Sequence, residues 1–174
     1  MPFALLDGEP LVSIASAALA SSGVELLDFT TPWSAVVSSG RALVVHDPLC
    51  PATPVSFLRS VVSSAGSSAG SSAGPHGPVL VGVRPVTDTV KQQSAGVVGE
   101  TVDRSGLVSL ASPVVLPAAV VAALPDWPDL TDLPALVASL AERFEVSFVE
   151  APAEGRRVVD ESDLRLLAAT TGQQ

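Results

Sequence analysis

The sequence predicts an α/β layered domain with a mainly parallel sheet, and three observations carry that reading. Val- and Leu-rich runs at Ala42 to Val45 and Val79 to Val83 each give way to polar residues. Segments whose apolar residues recur every three or four positions alternate with those runs. Hydrophobic residues make up 47% of the 174 positions, yet aromatics make up only 4% and tyrosine is absent. A valine-rich interior poor in aromatics suits strands buried on both faces beneath Ala/Leu helices. The length suffices for one core and is short for two, so residues 1–174 read as a single domain.

Taken in order, Leu11 to Leu19 places Ile14, Ala15, Ala18 and Leu19 at helical spacing, and Ser21, Ser22 and Gly23 end the helix. Val24 to Phe29 reads as a short strand. After the Pro32-Trp33 turn and the break at Ser38 to Gly40, Ala42 to Val45 reads as a central parallel strand. It ends at His46-Asp47, at the carboxyl edge where open α/β sheets hold ligands. Pro54 to Ser64 is the next helix, with Val55, Leu58, Val61 and Val62 on one face. Residues 63–78 read as a flexible loop, because Ser-Ser-Ala-Gly repeats three times from Ser63 to Gly74 and has little apolar surface to bury.

Val79 to Val83 is a second buried strand. The stretch from Pro85 to Pro113 holds Gly96, Gly99 and Gly106 and the alternating run Glu100 to Arg104, which predicts a β-arm leaving the main body. Pro117 to Leu124 and Leu133 to Phe144 are helical, Glu145 to Glu150 is a last strand, and Asp163 to Thr170 closes as a helix with Ser162 as its N-cap. Right-handed crossovers would join the parallel strands.

The net charge of −9 sets a field that repels nucleic-acid backbones and anionic membranes, so neither is an expected partner. A phosphate site would need several of the nine cationic residues gathered locally, and Lys91 is the only lysine. One cysteine, Cys50, allows no internal disulfide, and no Cys/His spacing suggests a metal site. No basic leader or long apolar run is present, which together with the lone thiol suggests the cytoplasm.

A series of strings then becomes specific by its order: Val45-His46-Asp47 with Pro51, Pro85-Val86-Thr87-Asp88-Thr89-Val90-Lys91, Val102-Asp103-Arg104, Leu110-Ala111-Ser112-Pro113, Thr131-Asp132, and Val158 to Leu164. Over Arg41 to Ala169 they resemble the methylerythritol 4-phosphate cytidylyltransferases, a family of Rossmann-like nucleotidyltransferases. The resemblance implies CTP-dependent nucleotidyl transfer to a sugar phosphate in isoprenoid precursor synthesis, with Mg2+ as the cation. It implies a homodimer whose β-arms, residues 85–113 here, interlock and help complete each other's substrate site. Carried over by position, Asp47 is the metal-proximal and catalytic acid, Arg157 stands for a catalytic lysine near the α-phosphate, and Thr89, Arg104 and Ser112 bind substrate. A carboxylate at a strand end can hold a hard cation, and an arginine's planar fork suits phosphate.

The departures are equally specific. The family wraps the CTP triphosphate with a Gly-rich loop carrying an arginine and, soon after, a lysine. Gly8-Glu9-Pro10-Leu11 matches only the segment just past that loop, and no Lys or Arg precedes Arg41. Phosphoryl transfer rests on positioning and charge neutralisation, so the loop is central to the chemistry. The family's base-contacting Arg segment has no match between Val24 and Arg41, and Cys50 stands where a substrate arginine is expected. The sequence therefore suggests a divergent, catalytically impaired relative. A non-catalytic dimeric interaction or regulatory protein and a sugar-phosphate-binding remnant stay open beside it.

Overall fold

The valine runs build the sheet, although its strand directions differ from the expectation. In a computed structural model, which describes residues 1–28, 30–67 and 76–171, the chain opens with a small hairpin, β1 (Leu5–Leu6) and β2 (Glu9–Pro10). Asp7 and Gly8 both have positive φ between its strands. That conformation is the two-residue hairpin turn for which Asp-Gly is suited. Helix α1 (Leu11–Ser21) follows, then α2 (Trp33–Ser38), strand β3 (Leu43–Val45) and helix α3 (Val55–Ser67). Strand β4 (Val79–Pro85) leads to a separate hairpin, β5 (Lys91–Ser94) and β6 (Val97–Thr101), and β7 (Val108–Leu116) returns from it. Helices α4 (Ala118–Ala123) and α5 (Leu133–Ala141), strand β8 (Val146–Glu150) and helix α6 (Glu161–Thr171) complete the chain.

The main sheet has the order β3-β7-β4-β8. Strands β3, β4 and β8 share a direction, but β7 lies antiparallel between β3 and β4, so among the described residues β4 and β8 form the one parallel pair. The expected mainly parallel sheet is thus corrected to a mixed one. The sequence hid β7 because Pro113 interrupts its apolar run, and proline usually argues against a central strand. Here the ladder is already broken at that point: the pairing steps from Val81↔Val114 to Val83↔Leu110, and Gly82 packs against the Ser112 carbonyl. A Cβ on Gly82 would lie 2.8 Å from that backbone, so glycine permits the close approach.

Two layers of helix cover the sheet. On one face, Val79, Val81, Val114 and Leu116 pack against Trp33 and Val36 of α2, Val120 and Val121 of α4, and Leu136 and Leu140 of α5. On the other, Leu80 and Val115 meet Val61 and Ala65 of α3. Each fully buried Leu or Val contributes about 1.5 to 3 kcal/mol of apolar burial, and Trp33, Trp127 and Phe144 add aromatic surface on the first face. A third cluster joins Leu6, Leu11, Val158 and Leu167, with Leu49 and Ala52 packed against it, and so fixes the turn after β3.

Three further expectations change. Val24 to Asp28 is irregular, and Phe29 lies outside the described residues. Ser63 to Ser67 extend helix α3 instead of opening a loop, while residues 68–75 of that segment lie outside the described residues. Asp160, not Ser162, caps α6: its carboxylate accepts from the Ser162 and Asp163 amides at 2.8 and 2.9 Å. Among the described residues, no helix is long and apolar enough to cross a membrane.

Candidate functional site

The carboxyl end of β3 brings together three of the expected site residues. Asp47 lies two residues past the strand, after His46, Ser112 lies on the neighbouring β7, and Arg157 comes from the segment between β8 and α6. Arg157 Nε donates to Asp47 Oδ2 at 2.7 Å, and the Leu49 amide donates to Asp47 Oδ1 at 2.8 Å. Both carboxylate oxygens therefore have donors within the chain. The Val158 amide donates to the Leu49 carbonyl at 2.7 Å, so the turn carrying Asp47 is tied to the arginine's segment by backbone as well as by charge.

Ser112 is fully buried at 0% exposure. Its Oγ accepts the Asp47 amide at 2.9 Å and lies 2.6 Å from His46 Nδ1. When the hydroxyl proton is directed to Nδ1, the neutral imidazole carries its own proton on Nε2. Nε2 is buried and has no hydrogen-bond partner among the described residues. Burial pushes the His46 pKa down to about 4, with the Asp47 charge opposing it, so the ring is neutral near pH 7.

Cys50 is buried beneath the same turn. Burial, reinforced by the Asp47 charge and opposed by Arg157, pushes its thiol up to about 12. A thiol in that state is not a nucleophile. Thr53, also buried, donates to the Cys50 carbonyl at 2.8 Å and closes the turn. His46 and Thr53 were not among the expected site residues; the polar pair His46-Asp47 at a strand end was the available signal for the first.

Thr89 and Arg104 stand on the hairpin segment instead of in this cluster. Arg104 donates to the Thr87 carbonyl, and the Val102 amide donates to the Val90 carbonyl at 2.8 Å, which closes the hairpin's base. Asp132 caps α5 by accepting from the Ala135 amide at 3.0 Å.

The cluster does not suit Mg2+ as it stands. Mg2+ is usually held by one or two carboxylates together with waters and substrate phosphates, and needs a carboxylate oxygen free to face it. Among the described residues Asp47 is the one carboxylate in the cluster, and both its oxygens face donors, an arginine and an amide; no group of three His, Cys, Asp or Glu among them could hold a metal by itself. Arg156, the other cation of the segment, pairs with Asp163 at 2.7 Å.

No family model and no curated protein matches the sequence. Solved structures do. The 2-C-methyl-D-erythritol 4-phosphate cytidylyltransferase from Thermus thermophilus matches with a TM-score of 0.66 at 20% identity, over 98% of this chain and 93% of that one. A 4-diphosphocytidyl-2C-methyl-D-erythritol synthase matches with a TM-score of 0.65 at 17% identity, over 98% and 94%. The corresponding synthase from Anaerococcus prevotii matches at 0.63 and 11%, over 99% and 93%. Near-complete coverage at such low identity is a likeness of architecture: the chain has the fold of the methylerythritol phosphate cytidylyltransferases.

Proposed function

We propose that this chain is a divergent relative of the methylerythritol 4-phosphate cytidylyltransferases in which CTP-dependent nucleotidyl transfer is impaired, and that it works as a homodimeric interaction protein through the β5–β6 hairpin. The observation that carries the first half is the saturation of Asp47. Its oxygens face Arg157 and the Leu49 amide, so the acid that would hold Mg2+ instead staples two segments of its own chain. Ser112 is buried against His46, and Cys50 occupies, fully buried, the position of an expected substrate arginine. Those placements also weigh against a sugar-phosphate site built from Ser112, Arg104 and Arg157.

The second half rests on the hairpin. Every residue of β5 and β6 is exposed, including Val97 at 69% and Val98 at 65%. An isolated two-stranded hairpin is marginal in water, and exposed valines on it gain from a partner surface.

Light scattering and calorimetry on the purified chain test both halves. The wild type is expected to be a dimer, to become a monomer when residues 88–104 are replaced by a short Gly/Ser turn, and to give no heat with CTP and Mg2+ at roughly millimolar concentration. A monomeric wild type would contradict the interaction role. Micromolar CTP binding, or a thermal shift with sugar phosphates, would restore a ligand site.

A further inference from the structure

Hydrogen bonding fixes which backbone groups of β8 are spare. The Val79 amide donates to the Glu145 carbonyl and the Ala151 amide to the Val83 carbonyl, each at 2.8 Å. Backbone groups alternate sides along a strand, so Glu145, Ser147, Val149 and Ala151 turn theirs towards β4, while Val146, Phe148 and Glu150 turn theirs away. Strand β8 ends the main sheet and pairs with β4 alone among the described residues, which leaves those three residues as an open edge. Phe148 is 58% exposed although Val81, paired beside it, is fully buried. The sheet's other free edge, on β3, offers no exposed apolar side chain: Leu43 is buried, and Val44 and Val45 are half-buried.

Charge decides what can cover the β8 edge. Phe148 and Glu150 stand two residues apart, so their side chains leave the same face of the strand. Just beyond it, Glu150 and Glu154 line a shallow groove of about 600 Å³ with Pro54, Phe57 and Pro152. Neither glutamate has a hydrogen bond or ion pair from its side chain among the described residues. The nearby cations are committed elsewhere: Arg84, beside the Val83 that pairs with Glu150, donates to the Pro152 carbonyl at 2.6 Å, and Arg156 is bonded to Asp163. The other six arginines also have acceptors within the chain. Arg41 meets Glu25, Arg59 the Ser21 carbonyl, Arg104 the Thr87 carbonyl and Arg143 the Ala123 carbonyl, and Arg157 and Arg165 meet Asp47 and Glu161. Lys91 has no such partner among the described residues, but Asp88, Glu100 and Asp103 accompany it on the hairpin segment. The hairpin is therefore no electrostatic complement to this edge, and a strand that covers it brings its cation from another protein.

We infer that the free edge of β8 takes up an extended segment of a different protein, in which a lysine or arginine stands two positions from a branched apolar residue. The segment's backbone joins the ladder at Val146, Phe148 and Glu150, its apolar side chain covers Phe148, and its cation meets Glu150 and Glu154. An acidic segment is rejected by like charge. This seat lies on a different element from the β5–β6 hairpin, so it holds whether or not the hairpin makes a dimer.

Fluorescence anisotropy of the full chain with the labelled peptide Lys-Thr-Val-Thr-Ile-Thr-Lys tests the seat, because each lysine stands two positions from valine or isoleucine. Saturable binding is expected below roughly 1 mM. The same peptide with its Val, Ile and Thr amides methylated keeps the charge and loses the donors, and should bind at least about tenfold more weakly. Glu150→Lys combined with Glu154→Lys should weaken the lysine peptide about tenfold and gain binding of Glu-Thr-Val-Thr-Ile-Thr-Glu, a gain that also shows the variant to be folded. Replacing residues 88–104 by a short Gly/Ser turn should leave the affinity unchanged. No binding by the wild type, equal binding of the methylated or acidic peptide, or loss of binding with the hairpin would each overturn the inference.

Discussion

The polar residues at the end of β3 hold one another, and that mutual engagement has measurable costs. His46 is kept neutral with a pKa of about 4, whereas an unfolded histidine titrates near 6.5. Above pH 6.5 both states are neutral and the buried ring costs nothing through protonation. As pH falls from 6.5 towards 4 the unfolded chain takes up a proton that the native state refuses, and stability is lost by up to about 3 kcal/mol. Urea unfolding at pH 7 and pH 4.5 should show that loss in the wild type and much less of it in His46→Asn, which keeps a side-chain partner for Ser112; equal losses would remove His46 as the cause. The Asp47–Arg157 pair is similarly structural. Arg157→Gln leaves a mostly buried carboxylate with the Leu49 amide alone and should cost about 1 to 2 kcal/mol. A double-mutant cycle with Asp47→Asn should give a coupling near 1 kcal/mol, and a coupling of zero would show that the pair holds nothing together.

At the scale of elements, the sheet depends on one close approach and the last helix on one cap. Gly82→Ala brings a methyl group to 2.8 Å from the Ser112 backbone, and the strands must part to admit it, at about 1 to 3 kcal/mol. Asp160→Ala removes the acceptor for two amides of α6, at about 1 kcal/mol. Thermal denaturation orders the two, and a Gly82→Ala protein as stable as the wild type would refute the bulge argument. These elements also show what the sequence made legible. Helices α1, α3 and α5 and strands β3 and β4 are legible because burial imposes a period of 3.6 or a continuous apolar run on them. Strand β7 was not, since the bulge that accommodates Pro113 is a property of its partner strand. The segment Val24 to Asp28 forms no strand for the converse reason: an apolar string becomes a strand only when a neighbour supplies its ladder, and here Leu26 and Leu27 are exposed. In the site, the meeting of Asp47, Ser112 and Arg157 follows the expected order of strings. The pairing of Asp47 with Arg157 was hidden, because which donors a carboxylate finds depends on turns that no local pattern encodes.

For the whole molecule, the charge distribution follows a single pattern. Eighteen carboxylates face nine cations, and the eight arginines are each bonded within the chain, which leaves an acidic surface poorly suited to gathering a triphosphate. The fold is that of enzymes whose solved structures it resembles, one of them with a TM-score of 0.66, while the residues at the sheet's carboxyl edge are joined to each other. Fold and activity are separable in this way because chemistry resides in the site and not in the architecture. Pyrophosphate release from CTP in the presence of 2-C-methyl-D-erythritol 4-phosphate and Mg2+, measured on the folded wild type beside Asp47→Asn, separates the two most directly. Both proteins should release pyrophosphate no faster than the protein-free mixture. Release by the wild type that Asp47→Asn abolishes would mean that Arg157 yields the carboxylate to a metal, and that the chain is a working cytidylyltransferase.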